Sequence, residues 1–312
     1  MNEKTNERMS ERMSEAVEAQ NEQSKEQKNG HLVIIGGHED REHDMEILSR
    51  FVELSGGKEA NILVITAAST IGGEMWEVYD QAFGNLGVRD RHHLGLTSRQ
   101  DANSEAFVRK VAEADGIFMT GGDQKRLLAL LGGTALDAEM HVALKVRGAT
   151  IGGTSAGASA MSGHMLAQGR VELHPEKGSV NLAAGLGFLH RVVVDQHFSE
   201  RQRLSRLLTV VAQNPYLQGI GIDEDTALVI ERGVGIEVLG AGAVTIVDGR
   251  TMITNVADIK DRDTPELIDV RLHLLPAGSS YRLPTHAEEP GKGLPPPLLD
   301  FLENVTKRNP IQ

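Results

Sequence analysis

Apolar and polar positions follow a repeating order along most of the chain. A short apolar run closed by glycine is followed by a stretch whose apolar residues recur three and four positions apart. His31-Leu-Val-Ile-Ile-Gly-Gly37 is the first such run. Asn61 to Thr66, Gly116-Ile-Phe-Met-Thr120 before Gly121-Gly122, and Ala149-Thr-Ile151 before Gly152-Gly153 repeat the punctuation. Runs of this length ending in glycine turns predict buried strands. Glu42 to Leu54, Met75 to Leu86, Ser104 to Glu113 and Lys125 to Leu131 carry the helical spacing instead. Strand and helix therefore alternate, which predicts an α/β fold with a doubly wound, mostly parallel sheet. After Gly219 the pattern changes. Ala227 to Glu231, Gly235 to Leu239 and Ala243 to Asp248 are short strand-like runs between glycine turns. They predict antiparallel strands added to the main sheet toward the C-terminus.

The flanks differ from this body. Residues 1–29 are rich in Glu, Asn, Gln, Lys and Ser, with Met9, Met13 and Val17 giving only a faint helical spacing, and are read as a solvated tail. Residues 30–284 form the expected catalytic domain. Residues 285–312, with Pro290 and Pro295-Pro296-Pro297, are read as a C-terminal tail that packs only in part.

Composition narrows the chemistry. Apolar residues make up 40% of the 312 and aromatics 4%. The core must rest on Val, Ile, Leu, Ala and Gly, which suits a parallel sheet covered by helices. With no cysteine in the chain, disulfides, thiolate zinc sites and cysteine nucleophiles are all excluded. A formal charge of −12 speaks against a nucleic-acid partner, since phosphate binding takes a basic surface. The first 29 residues lack the apolar stretch of a secretory signal, and no apolar run is long enough to span a bilayer, so the expectation is a cytoplasmic enzyme without a membrane partner.

Gly153-Thr-Ser155-Ala-Gly157 follows a predicted strand and opens a stretch of small residues. This is the setting of a nucleophile elbow, where flanking glycines permit a sharp turn that lifts the serine above the sheet. A serine nucleophile needs a base, and the chain holds 12 histidines. His92, His93, His141 and His174 lie in polar or helical surroundings that suit solvated side chains. His197 ends the β-branched run Arg191-Val-Val-Val-Asp195-Gln-His197, where α/β sheets present catalytic groups. A third member should be a carboxylate that orients the imidazole. Asp223, Glu224 and Asp225 are three in a row at another strand end, and spacing does not choose among them. Three arginines, Arg201, Arg203 and Arg206, follow His197. They suit a carboxylate-bearing substrate, or else a solvated helix face with Leu204, Leu207 and Leu208 turned inward. His38, Glu39, Asp40, His43 and Asp44 resemble a metal cluster in composition, but acids opening a helix after a glycine turn explain them more simply.

Taken together, Gly-Gly-Thr-Ser155-Ala-Gly, Thr-Gly-Gly122-Asp-Gln124, Asp195-Gln196-His197-Phe with its arginines, and Gly-Ile-Asp-Glu224-Asp-Thr resemble the cyanophycinases. These are relatives of aspartyl dipeptidase E on the class I glutamine amidotransferase-like fold. The resemblance runs from about His31 to Leu283. It implies Ser155 as nucleophile, His197 as base and Glu224 as its orienting acid, with Gly122 and Ala156 N–H groups as oxyanion donors. It also implies that Gln124, Asp195, Gln196, Arg201, Arg203 and Arg206 bind substrate. The implied activity is release of β-Asp-Arg dipeptides from cyanophycin, with neither metal nor cofactor, by a homodimeric enzyme. A dipeptidase E-like action on small aspartyl peptides and a non-catalytic binding protein are the alternatives. His38 departs from the resemblance, standing where a small residue is expected.

Overall fold

The computed structural model describes residues 30–284 and 294–307, so the tail expected at 1–29 lies outside the described residues. The alternation read from the sequence builds β1 (His31–Ile35), α1 (Glu46–Leu54), β2 (Asn61–Ile65), α2 (Gly72–Asn85), β3 (Asp90–Leu94), α3 (Glu105–Glu113), β4 (Gly116–Met119), α4 (Gln124–Leu131), α5 (Ala135–Val142) and β5 (Thr150–Thr154). The elbow helix α6 (Ala156–Ala160) follows, then the hairpin β6 (His164–Gly169) and β7 (Val180–Ala184). Next come β8 (Val192–Gln196), α7 (Leu204–Gln213), β9 (Gln218–Ile222), β10 (Thr226–Glu231), β11 (Gly235–Gly240) and β12 (Ala243–Asp248). The short pair β13 (Ile253–Thr254) and β14 (Leu267–Ile268), β15 (Arg271–Pro276), β16 (Ser280–Arg282) and α8 (Pro296–Thr306) complete the described chain.

The main sheet has eight strands in the order β16-β11-β10-β1-β5-β4-β2-β3. Its β1, β5, β4, β2 and β3 are parallel, while β10, β11 and β16 add on antiparallel beside β1. Parallel strands covered on both faces read as continuous apolar runs, and β1 and β2 do so because each face meets a different layer. Val33, Ile35, Ile62 and Val64 pack against Ile47, Leu48 and Phe51 of α1 and Phe83 of α2. Leu32, Ile34, Leu63 and Ile65 face the core beneath α3 to α6.

One expectation is corrected here. Of the three late strands, only β10 and β11 join the main sheet. Ala243–Asp248 lies instead in a second, four-stranded sheet, β15-β12-β9-β8, in which β8 and β9 are parallel. Its Val192, Val194, Ile220, Ile222, Val244 and Ile246 enter the same core as Leu32 and Ile34, so the two sheets close on a shared interior. On its other face, Leu207 and Val211 of α7 pack on Phe198 and Val247. The proline-containing end read as a tail carries α8, with proline in its first turn and Leu298, Phe301, Leu302 and Val305 buried in the main core.

This packing brings four strand ends together. His197 N–H donates to Gly36 O at 2.8 Å, Gly36 N–H to Thr226 O at 2.9 Å, and Asp225 N–H to Gly37 O at 2.8 Å. The turn after β1 thus ties the end of the second sheet to the main sheet beside Ser155, whose own N–H donates to Ile35 O at 3.0 Å. Carboxyl ends of parallel strands are where α/β sheets open their binding crevices.

Candidate active site

Ser155 sits between β5 and α6 with φ 53° and ψ −109°, a conformation that L-residues adopt only under constraint. The constraint comes from close packing. Gly157 runs so near β4 that a Cβ there would lie 2.4 Å from Met119 O. Beneath the elbow, Glu39 is buried and accepts hydrogen bonds from Thr154 Oγ1 and Tyr79 Oη, both at 2.5 Å. Burial, together with the charge and hydrogen bond of Glu39, holds the Tyr79 phenol well above its ordinary value, so it stays a donor. Glu39 is therefore not an acid of a helix's first turn, as its place after Gly37 suggested. Helix α1 begins only at Glu46, and Asp40 receives the N–H groups of Glu42, His43 and Met45 at 3.0 Å each.

From the elbow a hydrogen-bonded line runs outward. Ser155 Oγ lies 2.9 Å from His197 Nε2, and His197 Nδ1 lies 2.6 Å from Glu224 Oε1. His197 is buried and has φ 48°. Its ring fits because residue 37 is glycine, since a Cβ there would stand 2.3 Å from His197 Cε1, and φ 107° already favours glycine at that turn. The three carboxylates that spacing left equivalent have separate partners. Asp223 receives the N–H groups of Ser199 at 3.1 Å and Ala243 at 3.0 Å, and Asp225 that of Asp40 at 2.9 Å. Of the three, Glu224 is the one that reaches the imidazole.

Burial lowers the pKa of His197, with Arg201 and His38 acting in the same direction, against the raising hydrogen bond and charge of Glu224. Desolvation pushes Glu224 up, but the hydrogen bond from His197 and the nearby His38 and Arg201 outweigh it and leave Glu224 below the usual carboxylate range. Both shifts run toward a neutral imidazole beside a charged carboxylate, the pairing that proton abstraction from a serine requires. His38, which the sequence marks both as a departure from the resemblance and as the first of a metal-like run, places Nδ1 3.0 Å from the other oxygen of Glu224.

The remaining residues divide. Gly121 and Gly122 follow β4 beside the elbow: a Cβ on Gly121 would lie 3.5 Å from Ser155 Cβ. Ala156 opens α6, where the first N–H groups have no partner within the helix. Gln124 is half-buried and its Nε2 donates to Leu166 O at 3.2 Å. Arg201 is exposed. Arg203 and Arg206 are buried, and both bond Asp195, which is 1% exposed. Arg206 Nε donates to Asp195 Oδ2 at 2.9 Å, and Arg203 Nη1 to Asp195 Oδ1 at 3.2 Å and Gln196 Oε1 at 3.0 Å. Burial lowers Arg203 to about 10 despite that partner. The solvated-face reading fails for this helix, since Arg206 is inside while Leu204 is 41% exposed. Among the discounted histidines, His93 stacks on Trp76 and His141 contacts Phe188 and Leu186 O, away from this line.

Comparison with known proteins bears on family and fold. The sequence profile of Peptidase family S51 matches residues 32–238. A protein of Geminocystis herdmanii named cyanophycinase is 40% identical over 263 residues, 84% of this chain and 97% of that protein. A cyanophycinase of Nostoc sp. is 37% identical over 257 residues, 81% of this chain and 85% of that protein. Among solved structures, a peptidase from an acI-B1 Actinobacterium superposes with a TM-score of 0.59 at 24% identity, over 82% of this chain and 97% of that one, a likeness of fold.

Proposed function

Because the chain belongs to peptidase family S51, we propose that it is a serine exopeptidase that degrades cyanophycin, releasing β-Asp-Arg dipeptides through an acyl-enzyme. The observation that carries the mechanism is the line from Ser155 Oγ to His197 Nε2 at 2.9 Å and from His197 Nδ1 to Glu224 at 2.6 Å. Ser155 Oγ attacks the carbonyl carbon of the scissile peptide bond while His197 Nε2 takes its proton, and Glu224 stabilises the imidazolium that results. The Gly122 and Ala156 N–H groups receive the developing oxyanion. His197 then protonates the departing amine, and a water molecule, deprotonated by the same nitrogen, releases the dipeptide.

Substrate binding is divided by burial. Exposed Arg201 meets an α-carboxylate of the polymer, as a guanidinium does in a paired, planar contact. Gln124 and Gln196 flank the crevice as polar contacts. Asp195, Arg203 and Arg206 act from beneath, holding the end of β8 and therefore His197 in place. The reading includes pairing of two copies. The face of the second sheet that α7 covers runs out at β15, where Leu272 and Leu274 are 50% and 62% exposed.

Purified cyanophycin incubated with the protein should yield β-Asp-Arg dipeptides, and Ser155→Ala should lower kcat by about 10⁴ or more with its circular dichroism unchanged. Cleavage of short aspartyl peptides but not of the polymer would replace the substrate with a smaller one. Near-normal turnover by the folded variant would remove Ser155 from the mechanism.

A further inference from the structure

We propose that His38, His197 and Glu224 form a site for a zinc-class divalent cation, and that filling it switches hydrolysis off. The switch rests on His197 serving as the base described above, whereas the site itself does not. One nitrogen of each imidazole and one oxygen of Glu224 lie within 4.8 Å of one another. His38 Nδ1 is 3.0 Å from Glu224 Oε2, His197 Nδ1 is 2.6 Å from Oε1, and the two rings meet edge to face with centroids 5.1 Å apart. A tetrahedral zinc ion with bonds of about 2.0–2.1 Å holds neighbouring ligand atoms roughly 3.3 Å apart. Seating it therefore asks for displacements of about an ångström. The His38 side chain is 68% exposed, so it can swing by that amount, and it leaves the cation a path from solvent.

The donor set selects the ion. Two imidazoles and one carboxylate with a fourth position open is a combination that zinc favours. Calcium and magnesium prefer oxygen donors throughout and gain little from two nitrogens. His38 decides whether the site exists, because without it only two ligands remain.

Occupation changes the chemistry of His197 through its tautomer. A neutral imidazole has one N–H and one lone pair in the ring plane. When the cation takes the lone pair at Nδ1, the ring proton moves to Nε2, which faces Ser155 Oγ at 2.9 Å. Nε2 then donates where it must accept, so the serine proton has no acceptor, and the charge of Glu224 is spent on the cation. No proton leaves the ring and no covalent bond to substrate is involved.

The test titrates zinc chloride into full-length Ser155→Ala, which retains all three ligands, and into the same variant carrying His38→Ala, using isothermal calorimetry. Binding of one zinc per chain that weakens tenfold or more on adding His38→Ala is expected. No such binding, or equal affinity in both, overturns the site. In parallel, zinc should inhibit hydrolysis of a small activated ester by the unmodified protein, a chelator should restore it, and His38→Ala should raise the inhibition constant at least tenfold. Binding without inhibition overturns the switch. His38→Gln, checked by circular dichroism, replaces His38→Ala if the latter misfolds. Should the protein hydrolyse neither cyanophycin nor the ester, the calorimetry still decides the site while the catalytic reading falls.

Discussion

The protonation of His197 is a balance of neighbours, and shifting one of them moves the enzyme's pH profile in a known direction. Attack needs a neutral Nε2, so kcat/KM falls as acid protonates the ring. Burial sets that pKa below the ordinary imidazole value of 6.5, which places the acid limb below pH 6.5. Arg201→Gln removes a cation that disfavours the imidazolium and should move the limb to higher pH. Glu224→Gln removes the group that stabilises the imidazolium, so it should move the limb lower and reduce kcat by about 10³–10⁴. A pH–rate profile of each variant checks both signs, and no movement in either would detach these groups from the base. Asp223→Asn and Asp225→Asn weaken loop hydrogen bonds instead and should leave kcat far closer to normal; a larger loss from either would transfer the acid's role to it. Spacing left these three carboxylates equivalent because they share a strand end and a charge, and only the resemblance pointed to Glu224. What separates them after folding is that Asp223 and Asp225 meet backbone N–H groups while Glu224 meets the imidazole. Glu39 was misplaced for a related reason. An acid after Gly-Gly looks like the opening of a helix until Thr154 and Tyr79, distant in sequence, close over it.

Between β8 and α7, the buried carboxylate of Asp195 is shared by Arg203 and Arg206. Removing one partner of a buried ion pair leaves an uncompensated charge, which costs about 3–5 kcal/mol. Asp195→Asn should lower unfolding stability by that order in urea titrations, with two guanidinium groups left short of an anion. Arg203→Lys and Arg206→Lys should reduce turnover of cyanophycin and of a small ester alike, because they act through the position of β8. A loss confined to the polymer would return them to direct substrate contact. Helical periodicity could not anticipate this, since it treats arginine as polar and leucine as apolar, whereas here Arg206 is held inside by Asp195 and Leu204 faces out. The strands were legible where both faces are buried. Strand β3, Asp90–Leu94, escaped notice because it is the outermost strand of its sheet and its Asp-Arg-His-His run is only partly covered. The hairpin β6–β7 is similarly mixed in polarity.

Taken whole, the molecule is two sheets around one interior, and this was the least legible part of the design. A short β-branched run between glycine turns reads the same whichever sheet it joins, so Ala243–Asp248 was assigned to the wrong one. The proposed pairing of two copies rests on the second sheet, through the exposed Leu272 and Leu274 of its edge strand. Sedimentation velocity should give twice the chain mass, and Leu272→Lys with Leu274→Lys should return it to the single-chain value, since charge on an exposed edge strand opposes association. An unchanged mass in the double variant would put any pairing elsewhere.

Among the described residues, nine non-glycine positions have positive φ, and four of them, His38, Ser155, His197 and Asp225, meet at the ends of β1, β5, β8 and β9. Such conformations cost on the order of 1–3 kcal/mol each, and glycine adopts them without strain. At 155, where the side chain is small, selection for thermal endurance alone would therefore favour glycine, and lineages bred that way would become sturdier as they lost their nucleophile. Selection for turnover is what keeps serine where the backbone least accommodates it.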